Sequence, residues 1–181
     1  MMFLAASTTM HSAYAKERQT PSKAGLQRLS AYQGTWDATV QDFDTAYSKA
    51  GTSHRTILNE CWTSVAFFAC GQIVDGKPKA LIVYTYDPSR DIYHTYEIPA
   101  DGGPPSGGGT LMIKGSTWEY PSKFTYKGRS LQVRVINEFV SPSKINFRRQ
   151  YSEDGHSWIT ISKGAESKLN SPRQRSRLRF H

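Results

Sequence analysis

The sequence predicts an all-β fold, a single antiparallel up-and-down β-barrel of nine or ten strands with a short N-terminal helix. Three observations carry this expectation. From Trp36 to about Lys163 the chain is a train of short strand-like segments, opened by Gly34-Thr35-Trp36. Nearly every segment ends in a turn signal. No long helical pattern intervenes, so parallel crossovers have nothing to cross with. Aromatic residues make up 12% of the chain, which suits a pleated, half-buried surface better than a helix. A closed barrel of this size either fills its interior with side chains or encloses one ligand.

The elements follow in order. Residues 16–25 are polar, contain Pro21 and Gly25, and read as a linker. Leu26, Leu29 and Tyr32 share one helical face, which predicts a turn or two of helix. Strands are expected over 35–42, 54–61 and 67–74, the last stopped by the hairpin signal Asp75-Gly76. The next covers 79–86 and ends at Asp87-Pro88-Ser89-Arg90, a turn with proline at a favoured position. This strand is apolar on both faces, with Leu81 and Val83 against Ile82, Tyr84 and Tyr86, so it should lie against another element such as the helix. Another strand spans 91–98. The stretch 100–109 holds five glycines and two prolines and reads as loop. Short strands at 110–114 and 117–120 flank Gly115. A clear hairpin pairs 130–140 with 144–151, and Asp154-Gly155 turns the chain into a final strand, 157–163.

Both termini read differently from the barrel. Residues 1–15 carry no Lys, Arg, Asp or Glu and end in Ala13-Tyr14-Ala15, a small-x-small triplet followed by Lys16-Glu17-Arg18. That predicts a signal peptide lacking its basic region, for which truncation is one explanation, and a periplasmic or secreted protein; a disordered leader with a chance Ala-x-Ala is the alternative. Residues 169–181 read as a disordered basic tail. Its Arg173, Arg175, Arg177 and Arg179 account for half of the formal charge of +8, leaving the barrel only mildly basic at +4. This argues against nucleic acid as a partner and leaves the tail a weak contact with an anionic surface. The sequence does not fix the oligomeric state.

The common catalytic and metal patterns are absent: no phosphate loop, no Gly-x-Ser-x-Gly, no His-Glu-x-x-His, and five scattered histidines with none near a cysteine at zinc spacing. No cofactor, metal or catalytic residue is therefore expected. His94 shares a face with Ile92, Tyr96 and Ile98. Facing inward it could ligate a haem or donate to a ligand; bonded to a neighbouring tyrosine it would be structural. Arg149 falls in phase with Ile145, Phe147 and Tyr151, and Glu60 with Leu58 and Trp62. A charge inside a barrel must be paired or meet a ligand of opposite charge. The two could pair with each other, or Arg149 could hold a ligand carboxylate. Arg149, His94, Glu60, Tyr96 and Tyr84 form the candidate ligand-binding set. Leu131, Val133, Val135 and Phe139 form an apolar face on which Asn137 is the exception.

Cys61 and Cys70 suggest a disulfide in an oxidising compartment. A two-residue hairpin at Thr63-Ser64 would separate them by about 13 Å of strand rise. On that reading a bridge requires 62–69 to be an open loop, able to cover a barrel mouth with Trp62, Val65, Phe67 and Phe68.

Tyr32-Gln33-Gly34-Thr35-Trp36-Asp37, the meander, Tyr86-Asp87 and the late Ser152-Glu153-Asp154-Gly155-His156-Ser157-Trp158 together resemble lipocalin-like (calycin) barrels. More narrowly they are similar to a family of small exported bacterial proteins of unknown function whose first strand is Gly-Thr-Trp. The resemblance spans 26–168. It implies that Gly34 and Trp36 are structural, Trp36 packing at the closed end with an arginine stacked on it, which Arg148 or Arg149 could supply. It brings a fold but no established substrate. Three functions follow as expectations: an exported barrel binding a small apolar or amphipathic ligand; a filled structural or interaction module; and, least, an enzyme.

Overall fold

The structure, a computed structural model, describes residues 21–126 and 128–169. The expected signal peptide, the first half of the linker and the basic tail from 170 onward lie outside the described residues. A short helix α1 (Pro21–Gln27) runs into a tight 3-10 turn (Arg28–Tyr32). Ten strands follow: β1 (Gly34–Asp42), β2 (Gly51–Thr63), β3 (Phe68–Val74), β4 (Lys77–Asp87), β5 (Ile92–Pro99), β6 (Ser106–Lys114), β7 (Thr117–Tyr126), β8 (Arg129–Ser141), β9 (Lys144–Ser152) and β10 (Ile159–Lys168). Each pairs antiparallel with its chain neighbours, and β10 pairs with β1 to close the barrel. The all-β up-and-down barrel read from the sequence is the fold observed.

Several boundaries differ, each for a physical reason. The helix begins at Pro21, inside the stretch read as linker, because proline is well suited to a first helical turn. β6 begins at Ser106, so half of the glycine-rich stretch is strand. There β5 lies so close that a Cβ on Gly109 would sit 2.3 Å from Thr95 Oγ1, and one on Gly107 would sit 3.3 Å from the Tyr96 ring. The glycines serve close packing, a role composition alone reads as loop. β10 starts at Ile159 and runs to Lys168, five residues beyond the expected end, held by its ladder to β1 from Trp36↔Lys168 to Asp42↔Ser162. Asp75 and Gly76 do form the two-residue hairpin, both with positive φ.

The disulfide joins Cys61 to Cys70, with 4.1 Å between Cα atoms. The route to it is not the open loop. β2 and β3 both run past the cysteines, which sit directly opposite each other in the ladder. The connection is four residues long, 64–67, closed by Ser64 N–H donating to Phe67 O at 2.7 Å. The turn is centred on Val65 and Ala66, two residues further along than a hairpin at Thr63-Ser64, and that shift sets Cys61 opposite Cys70.

Register assigns the two faces of the wall. The inner face carries Trp36 and Ala38 (β1), Phe68 and Cys70 (β3), Tyr84 (β4), Tyr93 (β5), Leu111 and Ile113 (β6), Trp118 (β7), and Leu131 (β8), all buried. One end is sealed by α1 and the 3-10 turn, whose Leu26 and Leu29 are fully buried in this cluster. Full burial of each such side chain stabilises by about 1.5–3 kcal/mol. The plug is pinned by polar contacts too: Tyr93 Oη donates to Gly25 O at 2.7 Å and Trp36 Nε1 to Tyr32 O at 2.9 Å. Gly25 admits nothing larger, since a Cβ there would lie 2.3 Å from the Tyr86 ring. The expected contact between the 79–86 strand and the helix is this one.

The outer face is not uniform. From β2 to β5 it carries Trp62, Leu58, Leu81, Val83, Tyr96 and Ile98 in adjoining rows, with Glu60 and His94 among them. On β8, β9 and β10 the same face carries Arg134, Glu138, Arg148, Gln150 and Lys163.

Candidate functional site

The inner face divides along the barrel axis. Toward the sealed end Trp36, Tyr93 and Leu111 are completely buried. Toward the other end Arg55, Glu97 and Ser122 occupy inner-face positions and are exposed. Part of the inner face is therefore exposed to water at that mouth, beside Leu131 and Tyr151, which are buried there. That mouth is framed by the connections 43–50, 100–105 and 153–158. Tyr47 leans from the first of these onto Tyr151 and Tyr126, with ring centroids 4.7 and 5.3 Å away, and its hydroxyl donates to Glu153 Oε1 at 2.7 Å. The third is organised by Asp154, which accepts from the N–H groups of His156 and Ser157 and from the hydroxyls of Ser152 and Ser157. Those donors hold its carboxyl far below the usual carboxylate range.

Between the mouth and the plug lies a polar layer. Tyr32 stands on the 3-10 turn, boxed by Trp118 and Phe139 with centroids 4.9 and 5.4 Å away. Asn137 Nδ2 donates to the Tyr32 hydroxyl. The Tyr120 hydroxyl interacts with those of Tyr32 and Tyr84. Burial raises all three tyrosines, Tyr84 to about 12 and the other two further. Behind them Asn59 Nδ2 donates to Tyr32 O at 3.3 Å, and Gln72 Nε2 to Asn59 Oδ1 at 3.4 Å.

Glu166 sits beside this layer. It lies on the inner face of β10, between Ala38 of β1 and Ile145 of β9. Loss of hydration lifts its carboxyl from 4.5 to about 7. Tyr32, Tyr120 and Glu166 are each partly buried and keep some surface within reach of water. The layer can donate and accept hydrogen bonds deep inside the barrel. Among the described residues no three His, Cys, Asp or Glu side chains gather to hold a metal ion.

The residues singled out from sequence are scattered by the register. Arg149 is on the inner face near the open mouth, 3.8 Å from Asp42 Oδ1 and about half exposed. Its neighbour in charge is thus Asp42, not Glu60. Tyr84 is inside and buried. Glu60 is on the outer face and exposed, in phase with Trp62. His94 and Tyr96 are also outside, because Tyr93 takes the inner position on β5 and its neighbours alternate outward. An outward His94 cannot ligate a haem held in the lumen. The cation over Trp36 is Lys168, whose Nζ lies 5.0 Å from the ring centroid, in place of the arginine expected there; Arg148 points outward and Arg149 is engaged by Asp42.

Sequence reasoning passed over Glu166, Tyr120 and Tyr32 as site residues. Asn137 did announce itself, as one polar residue on an apolar face.

No protein-family model matches the chain, and no curated protein matches it. Among solved structures it is similar to Rv2717c from M. tuberculosis, 13% identical over 80% of this chain and 97% of that one, with a TM-score of 0.48. A redesigned β-barrel is 14% identical over 77% of this chain and 93% of that one, at a TM-score of 0.35. The mFAP2b barrel bound to DFHBI is 15% identical over 78% and 96%, also at 0.35. At these scores the likenesses say nothing about activity, and the fold rests on the strand pairing itself.

Proposed function

We propose that this is an exported, lipocalin-like, non-catalytic barrel that binds one small amphipathic ligand in its interior, tail toward the open mouth. One observation carries the reading: Tyr32, Tyr120 and Glu166, polar side chains that face the barrel interior, are only partly covered by their neighbours. Binding sites of this kind combine apolar walls with a few placed polar groups. Here Val40, Ile57, Val133 and Val135 supply inner walls, and the tyrosine and asparagine layer supplies the polar groups. The disulfide suits an oxidising compartment and supports export.

Titration with the fluorophore 1-anilinonaphthalene-8-sulfonate tests the site. Saturable 1:1 binding is expected, lost in Val135→Trp, which fills the lumen, while the variant's circular dichroism stays native. Binding that survives in a folded Val135→Trp would place the dye elsewhere and end the reading. Mass spectrometry of the native protein should find a small amphiphile carried through purification. A second reading, an interaction module, draws on the apolar outer wall of Trp62, Tyr96 and Ile98, which are 49%, 45% and 43% exposed. It predicts that Trp62→Ser removes dye binding and Val135→Trp does not.

A further inference from the structure

Among the described residues Glu166 is an acid without a counter-ion. It makes no ion pair and no hydrogen bond with any described residue. The groups that face it are accounted for. Ala38 and Ile145 flank it on the neighbouring strands and offer no polar atom from their side chains. Gly164 precedes it in phase, with the Phe147 ring packed so closely that a Cβ at 164 would lie 2.6 Å from Phe147 Cζ. Tyr32 approaches from the 3-10 turn, and its hydroxyl is engaged by Asn137 and Tyr120. Lys168 follows in phase, but its amino group faces Ala31 O at 3.4 Å and the Trp36 ring. Arg55 lies one strand beyond Ala38 in the same inner row and is exposed, out of ion-pair reach. Arg149 is committed to Asp42.

An ionised carboxylate in such a place is costly unless a cation meets it. No described residue supplies one. We propose that the missing cation comes with the ligand: Glu166 anchors the protonated amine of an amphiphilic amine whose apolar tail runs toward the open mouth. This rests on the lumen binding an amphiphile and adds the chemistry of its head group. The surroundings suit an ammonium. Tyrosine and phenylalanine rings present their negative faces to a cation, and the Tyr32 and Tyr120 hydroxyls offer acceptor lone pairs. Because burial holds the free carboxyl at about 7, an amine that pairs with it draws the proton off, and its affinity rises with pH through neutrality. A ligand carboxylate would meet the opposite condition, a like charge that must itself stay protonated.

The test uses three probes of one tail length, decylamine, decanol and decanoate, titrated calorimetrically into the full chain at pH 8 below their micelle thresholds. Decylamine should bind about tenfold more tightly than decanol, the value of one charge-assisted contact. Glu166→Gln should erase that preference while leaving decanol affinity within about twofold, since the amide keeps the shape. The preference should also shrink as pH falls from 8 to 5.5. Equal affinities for decylamine and decanol, tighter decanoate binding, or a preference that persists in Glu166→Gln would overturn the amine assignment while leaving the binding barrel intact. If none of the three binds at millimolar concentration, the ligand-binding reading falls with it.

Discussion

At the sealed end of the barrel Trp36, Tyr93, Leu26 and Leu111 are completely buried and even the polar atoms of the plug are paired. At the open end, on the same inner face of the same sheet, Arg55 and Glu97 stand in water and Arg149 shares a loose contact with Asp42. The difference is one of how each half meets the cost of an interior. The plug fills the first half with aromatic and aliphatic side chains, so that half carries the stability. The second half buries Leu131 and Tyr151 but leaves other inner-face positions to solvent, and changes at those exposed positions should cost little folding energy and, on the proposed reading, much binding. Substitutions in the two halves therefore separate stability from function.

The largest effect is expected at Trp36. Trp36→Ala removes a fully buried indole, its bond to Tyr32 O and the seat of Lys168. Such truncations cost about 3–5 kcal/mol. Urea denaturation should show the midpoint falling with little change in slope. A loss under about 1 kcal/mol would mean that the sealed end is not where stability resides.

Glu166 comes next, at the border between the halves. Its folded carboxyl, at about 7, lies above the unfolded value of 4.5. The folded state thus binds the extra proton in this interval, so stability falls as pH rises from about 4.5 and levels off above 7. The full difference is about 3 kcal/mol. Glu166→Gln should flatten this slope and be more stable than the parent at pH 8. A parent stability that holds level or climbs through this window, corrected for other carboxylates, would contradict the burial of Glu166. Asp154 works in the opposite sense: its depressed pKa stabilises above the unfolded value and is lost in strong acid, so the open-end turn should loosen first there.

The disulfide ties β2 to β3 beside the plug. Replacing both cysteines with serine opens a short loop and should cost about 2–3 kcal/mol. Reducing agent should lower the thermal midpoint of the parent and leave the double variant unmoved.

Much of the barrel was legible because turn chemistry is local. Asp75-Gly76 and the connection at 141–144 are written in single residues with defined backbone preferences. What was not legible depends on which side of the wall a residue faces. On β5, Ile92, His94, Tyr96 and Ile98 make the more apolar phase, yet the interior takes Tyr93, Thr95 and Glu97. Period-two patterning finds a phase but not its direction when the outer wall is apolar as well. Glu166 escaped for another reason. Gly164-Ala165-Glu166-Ser167 has no alternation of its own and becomes strand because β1 offers it a ladder. Once closure of β10 on β1 is known, the residue in phase with Gly164 and Ser162 must point inward, and that residue is an acid. The cysteine pair teaches the same point, since its register depended on where the turn is centred, which composition does not state.

The smallest change in stability is expected at Arg149. Its pair with Asp42 is 3.8 Å long, with the arginine 48% and the aspartate 30% exposed, so solvent screens most of the attraction. Arg149→Met should cost less than about 1 kcal/mol. Its effect on binding distinguishes two roles. If Arg149 selects anionic head groups, the variant should weaken decanoate alone. If Glu166 holds the head and Arg149 only frames the mouth, decylamine affinity should stay level or rise slightly, because a positive charge near the entrance repels an incoming amine. A marked loss of decylamine binding in a fully folded Arg149→Met would place the head group at the mouth instead of at the tyrosine layer, and would turn the ligand end for end.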